Sequence, residues 1–213
     1  MAVSVLEIVF MVHFNNNIFF IGPFASGKTT ISEQLSKVTN IPIYPPDKWK
    51  WYFLFKNGYS LTNARRILHD YGFEELENYF RASLKVEEFV SVIEQFPNSI
   101  IEIPPYNAYY EDVTEIEIIN NLINSSKYTF LILPSSNQKQ ALQELNKRLD
   151  IRFETTKQDF PELKENYKNK NKWILEHETN KNSNIKTIYT ENKSVADTIY
   201  RMLSEFRDIL PVL

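Results

Sequence analysis

Five short apolar runs punctuate the chain, with amphipathic stretches between them. Ile18-Phe19-Phe20-Ile21 is continuous and apolar, as a strand buried on both faces of a parallel sheet should be, and it stops at Gly22-Pro23. A helix is predicted from about Lys28, with Ile31, Leu35 and Val38 on one face. Ile41–Tyr44, Ser99–Ile103, Tyr128–Leu133 and Ile185–Tyr189 read as four further strands; the first two of these end at Pro45-Pro46 and Pro104-Pro105. Helical spacings are predicted over 61–71, 73–96, 111–124, 137–149 and 193–207. Strands alternating with helices in this way predict an α/β fold with a parallel sheet covered on both faces.

Three stretches stand apart from the alternation. Residues 1–14 are mostly apolar but broken by Glu7, and read either as an extra N-terminal edge strand or, over 1–10, as an extension ahead of a natural start at Met11. They are shorter than the ~20 residues of a membrane span and lack the basic start and small-residue cleavage site of a secretory leader. Trp49, Trp51, Tyr52, Phe53 and Phe55 crowd together after the second strand and read as core or as one wall of a pocket. Residues 150–182 are polar, with Lys164, Lys168, Lys170 and Lys172 set between Phe160, Leu163, Tyr167 and Trp173. Lysines in such a run predict a solvated face.

Composition narrows the chemistry. A chain of 213 residues is long enough for one domain spanning 1–213. It has no cysteine, which excludes disulfides, thiolate nucleophiles and cysteine-held metals and suits a reducing cytoplasm. The net charge of -3 argues against long nucleic acid as a partner. Only four glycines are present, where average usage predicts about fifteen. Two of them, Gly22 and Gly27, stand close together at the end of the first strand.

Those two glycines frame Gly22-Pro23-Phe24-Ala25-Ser26-Gly27-Lys28-Thr29, which fits G-x-x-x-x-G-K-[S/T], the phosphate-binding loop. Curled backbone turns successive N–H groups toward phosphate oxygens, and the following helix, with Thr30 in its first turn, aims its N-terminus at the same anion. Lys28 supplies a positive charge for the outer phosphates, and Thr29 offers a hydroxyl to Mg²⁺. A second acid is expected at another strand end. Glu102, inside the apolar third strand, serves either the metal or a structural ion pair with a core lysine. Asp47 serves either the site or the N-cap of the next helix. Arg148 and Arg152 are candidates for the cation beyond the outer phosphate, or are ordinary charges at a helix C-terminus.

On these residues the chain resembles the shikimate kinase-like branch of the P-loop small-molecule kinases. Asn17–Thr30 looks like that family's first strand and loop, Tyr44-Pro-Pro-Asp47 falls at its paired-aspartate position, Phe80-Arg81 matches a substrate-binding Phe-Arg pair, and Asn146-Lys-Arg148 falls where an adenine-contacting arginine stands. The resemblance implies a three-layer α/β/α core with a five-stranded parallel sheet in order 2-3-1-4-5, an acceptor-binding insertion over about 47–96 and a lid over about 150–182. It implies that Asp47 orients or deprotonates the acceptor hydroxyl and that Arg81 binds an anionic group on it. Four features depart from the family: Pro45 replaces the first aspartate, Pro104-Pro105 replace a glycine triplet, no second arginine follows Arg81, and an Arg-x-Pro-Leu-Tyr segment near the lid has no counterpart around Lys172-Trp-Ile-Leu-Glu176. The expected activity is transfer of the γ-phosphate of Mg-ATP to a small-molecule acceptor other than shikimate, by a cytoplasmic monomer or homodimer. A P-loop ATPase without an acceptor, a nucleoside or nucleotide kinase, and a 5′-hydroxyl kinase of polynucleotide ends are the alternatives.

Overall fold

The computed structural model describes residues 17–44, 46–86, 90, 93–103, 113–156, 161–177 and 185–206. The expected strand at 1–14 lies outside the described residues. Five strands form one sheet: β1 (Ile18–Ile21), β2 (Ile43–Tyr44), β3 (Ile100–Glu102), β4 (Tyr128–Leu133) and β5 (Ile185–Tyr189), in the order β2-β3-β1-β4-β5. All four pairings are parallel. The fold is therefore the α/β architecture that the alternation predicts, in the strand order that the resemblance implies.

Alternation along the strands explains the layers, since successive side chains point to opposite faces. Ile18, Phe20, Ile100, Phe130, Ile132 and Ile188 face one side. There they meet Ile31 and Leu35 of α1 (Lys28–Thr39) and Ile199 and Met202 of α8 (Val195–Glu205). Phe19, Ile21, Ile101, Leu131 and Leu133 face the other. There they meet Ile119, Leu122 and Ile123 of α5 (Val113–Asn124) and Ala141 and Leu145 of α6 (Gln138–Thr155).

Between β2 and β3 run α2 (Pro46–Lys56), α3 (Leu61–Tyr71) and α4 (Phe73–Ala82), and α7 (Pro161–His177) packs along α6. The helix expected over 73–96 is interrupted: the chain turns at Ser83–Lys85, where Ser83 and Leu84 close back on Phe80 and Arg81. The helix expected over 137–149 continues to Thr155, and the polar stretch 150–182 contains α7 rather than a loop throughout. The aromatic crowd divides along α2: Phe53 and Leu54 are buried, while Trp51, Tyr52 and Phe55 are exposed. Leu54 packs with Tyr59, Ala64, Leu76, Tyr79 and Phe80 into a small separate core.

Val38 is a further correction. It was expected on the apolar face of α1 but is 53% exposed, while Leu35 is fully buried. The buried stripe of α1 runs Lys28, Ile31, Ser32, Leu35, and the chain leaves the helix at Asn40 in the left-handed region. Leu35→Ala should therefore cost about 2–5 kcal/mol in urea unfolding, and Val38→Ala less than about 0.5 kcal/mol. Equal losses would contradict this packing.

Candidate functional site

The loop between β1 and α1 is shaped by backbone that most residues avoid. Gly22 has φ +139°, and a Cβ built there would stand 2.6 Å from the carbonyl oxygen of Ile132 on β4. A side chain at Gly22 would push β1 and β4 apart. Gly27 has φ +99° and open space around it. Ala25 also lies in the left-handed region, with φ +61°. Positive φ at Ala25 and Gly27 on either side of Ser26 turns consecutive N–H groups inward, the arrangement of an anion-binding nest.

The start of α1 is open in the same sense. No side chain caps it and no acidic residue occupies its first turn. Three other helices have side-chain caps: Ser60 caps α3, Asn137 caps α6, and Ser194 with Asp197 forms a capping box on α8. A helix start without a side-chain cap or an acidic first turn is suited to an anion. The Lys28 ammonium reaches back along the loop and donates to the carbonyls of Gly22 and Pro23, each at 2.8 Å. Thr30 is exposed in the first turn.

Glu102 closes the site from the sheet. It pairs in register with Phe20 at the carboxyl end of β3. Alternation puts Ile101 and Ile103 on the far face and Glu102 on the face toward α1. Its carboxylate accepts from Thr29 Oγ1 at 2.8 Å and from Ser32 Oγ at 2.6 Å. Its partners are two hydroxyls, not the core lysine of the alternative reading. Ser32 is fully buried, and nothing in the sequence distinguished it from any other serine in an amphipathic helix.

The remaining candidates divide. Arg148 Nη1 reaches the carbonyls of Ala25 and Ser26 at 3.4 and 3.5 Å, and its Nε donates to Glu144 at 2.9 Å. Arg148 therefore stands against the phosphate loop. Arg152 lies one turn further along α6 and is exposed. Asp47 falls in the first turn of α2, which begins at Pro46, so it is not the N-cap; its side chain lies outside the described residues. Arg81 pairs with Glu77 on its own helix at 3.3 Å.

Sequence reasoning missed the role of α7. Asn171, fully buried, accepts from the Phe24 N–H at 2.7 Å and donates to the Phe24 carbonyl at 3.2 Å. Tyr167, one turn earlier, stacks on the Phe24 ring at 4.0 Å. The residue before Asn171 reaches a different element. Lys170 is buried, against the expectation of a solvated face, and forms a short ion pair with Glu77 of α4; Asn166 donates to the other Glu77 oxygen at 2.6 Å. Lys164 and Lys168 both meet Asp150 at 2.9 Å. The helix is thus tied to the phosphate loop, to the insertion and to α6. Asn171 stands in that run beside Asn166 and Asn169, and nothing in the sequence set it apart.

Burial alone would raise the Glu77 carboxyl, but the Lys170 hydrogen bond and charge, Arg81 and the Asn166 amide outweigh it and hold the group below the usual carboxylate range. Burial lowers the Lys170 ammonium against the pull of Glu77.

The residues fit a nucleoside triphosphate and Mg²⁺. The nest and the uncapped helix suit phosphate, and the paired oxygens of Thr29 and Glu102 are the hard donors that Mg²⁺ takes beside phosphate and water. Among the described residues no three His, Cys, Asp or Glu side chains gather at one place, and no helix is long and apolar enough to cross a membrane.

No family model matches the sequence, and no curated protein matches it. Three solved structures with a similar chain path are each 15% identical. A shikimate kinase from Aquifex aeolicus has a TM-score of 0.46, covering 91% of this chain and 98% of that one. A deoxyadenosine kinase from M. mycoides has 0.48, covering 91% and 100%. A thymidylate kinase from Candida albicans has 0.46, covering 92% of each. Shikimate kinase is not set apart from the nucleoside and nucleotide kinases among them.

Two outcomes test this geometry. Gly22→Ala should unfold the protein at markedly lower urea than Gly27→Ala, because only the first adds a backbone clash to the roughly 1–2 kcal/mol cost of left-handed alanine. Similar midpoints would refute the close approach to β4. For Glu77, the lowered carboxyl gives stability that is complete above its unfolded value and is lost as pH falls through the folded one. Unfolding between about pH 5 and pH 3 should thus be less pH-dependent in Glu77→Gln than in the wild type. Identical slopes would show that the pair does not form in solution.

Proposed function

We propose that this chain is an ATP-dependent phosphotransferase that moves the γ-phosphate of Mg-ATP onto a small-molecule acceptor. The observation that carries the reading is the meeting of Thr29 and Glu102 at 2.8 Å beside the loop that begins at Gly22. It brings a hydroxyl and a carboxylate from separate elements to the start of one uncapped helix. Lys28 and the N–H groups of the loop and of the first turn of α1 bind the phosphates, apart from Pro23, which has no N–H, and Phe24, whose N–H is taken by Asn171. Thr29 and Glu102 would hold Mg²⁺, which when bound neutralises charge developing on the phosphate oxygens.

In the transfer, the acceptor oxygen bonds to the γ-phosphorus as the bond to the β,γ-bridging oxygen breaks. ADP leaves, and the acceptor's proton passes to a base. Asp47, just beyond β2, is proposed as that base, with Arg148 and Arg152 as cations near the outer phosphates. The insertion over 47–96 supplies the acceptor site and α7 belongs to a lid over 150–182. Shikimate is disfavoured as acceptor: Pro104 and Pro105 have no N–H to offer a carboxylate, and Arg81 is engaged by Glu77.

The test is ADP release from Mg-ATP with pooled acceptors: shikimate, sugar acids, nucleosides, nucleoside monophosphates and 5′-hydroxyl oligonucleotides. One pool should stimulate release, and Lys28→Ala should lower it by about a hundredfold or more. Release that needs no acceptor, yet is lost in Lys28→Ala, would instead identify a P-loop ATPase. Failure to bind Mg-ATP would overturn both.

A further inference from the structure

We infer that Ser32 is a positioning residue for the metal-binding carboxylate, a role that rests on the assignment of Thr29 and Glu102 to Mg²⁺. Ser32 stands one helical turn after Thr29, so both hydroxyls lie on the same side of α1. Each grips a different oxygen of Glu102: Ser32 takes Oε1 at 2.6 Å and Thr29 takes Oε2 at 2.8 Å. Ser32 Oγ also lies 3.0 Å from the Thr29 carbonyl. It has one proton for two acceptors, and the shorter contact is in the range of a charge-assisted O–H···O⁻ bond. The proton therefore goes to Glu102.

The two hydroxyls are not equivalent. Thr29 is exposed, whereas Ser32 is fully buried. A hydroxyl ligates a cation through its oxygen, and the exposure of Thr29 leaves that oxygen within reach of one. The bond from Ser32 is buried away from it. Glu102 emerges from an apolar strand with Ile100 and Ile101 fully buried before it, and Ser32 is the contact that fixes the rotation of its carboxylate while the Thr29 end is in use. Partners of this kind, one step removed from a metal, typically govern affinity by about 10–100-fold.

The test is Mn²⁺ titration, by electron paramagnetic resonance, of the intact protein saturated with ADP, beside ADP binding measured in EDTA. Ser32→Ala should weaken Mn²⁺ by about tenfold and leave metal-free ADP binding unchanged. Ser32→Cys, nearly isosteric with a weak donor, should fall between, and gives a readout if the alanine variant does not fold. Wild-type Mn²⁺ affinity in these variants, with Glu102→Gln impaired, would overturn the role of Ser32 and leave the metal assignment standing. Equal weakening of ADP binding in EDTA would reduce Ser32 to loop structure and overturn it as well. Wild-type Mn²⁺ affinity in Glu102→Gln would overturn the metal assignment itself.

Discussion

The site depends on how closely β1 approaches β4 at the point where the chain leaves the sheet. At Gly22 the backbone passes so near the Ile132 carbonyl that no side chain fits. From that constraint the rest follows in order. The chain turns there into α1, which packs over β1 and β3, and the first turns of α1 come to lie against the end of β3. Glu102 is then within reach of two α1 hydroxyls because β3 runs parallel beside β1 in register, with Phe20 opposite Glu102. A one-residue slip would send Glu102 to the opposite face, among the Ile101 and Ile103 neighbours.

The strands were legible because buried parallel strands write themselves as continuous apolar runs, and the intervening helices carry apolar stripes, while the order of the strands in the sheet came from the resemblance that the phosphate-loop motif carries. The phosphate loop was legible because its chemistry needs particular residues at fixed spacing. What escaped was set by tertiary packing. Val38 continues the apolar spacing of α1, yet the sheet no longer lies beneath it. Ala25 carries no sign of its positive φ, a conformation that alanine does not favour and that the surrounding loop imposes. Lys170 reads like its lysine neighbours, and only the position of Glu77 on another helix makes it a buried charge. Asp47 lies just past β2, and its backbone position inside the first turn of α2 removes the capping alternative.

The molecule uses two kinds of contact for two purposes. The sheet and its flanking helices are held by apolar burial, which is strong, tolerant and nearly indifferent to orientation. Around the loop the contacts change to hydrogen bonds and ion pairs with directional demands: Asn171 to both backbone groups of Phe24, Glu77 to Lys170 and Asn166, Ser32 and Thr29 to opposite oxygens of Glu102. Such groups give little net stability, since burying them costs much of what their pairing returns. Their value lies in direction. A core of leucine and isoleucine could hold α7 against the body of the protein, but it could not fix the Phe24 amide plane. The adjacent positions Lys170 and Asn171 carry this further, because one rigid helix addresses the insertion through the first and the phosphate loop through the second. A rotation of α7 large enough to release Glu77 would also strain the amide pair at Phe24, so the two regions are mechanically joined through a single turn of helix.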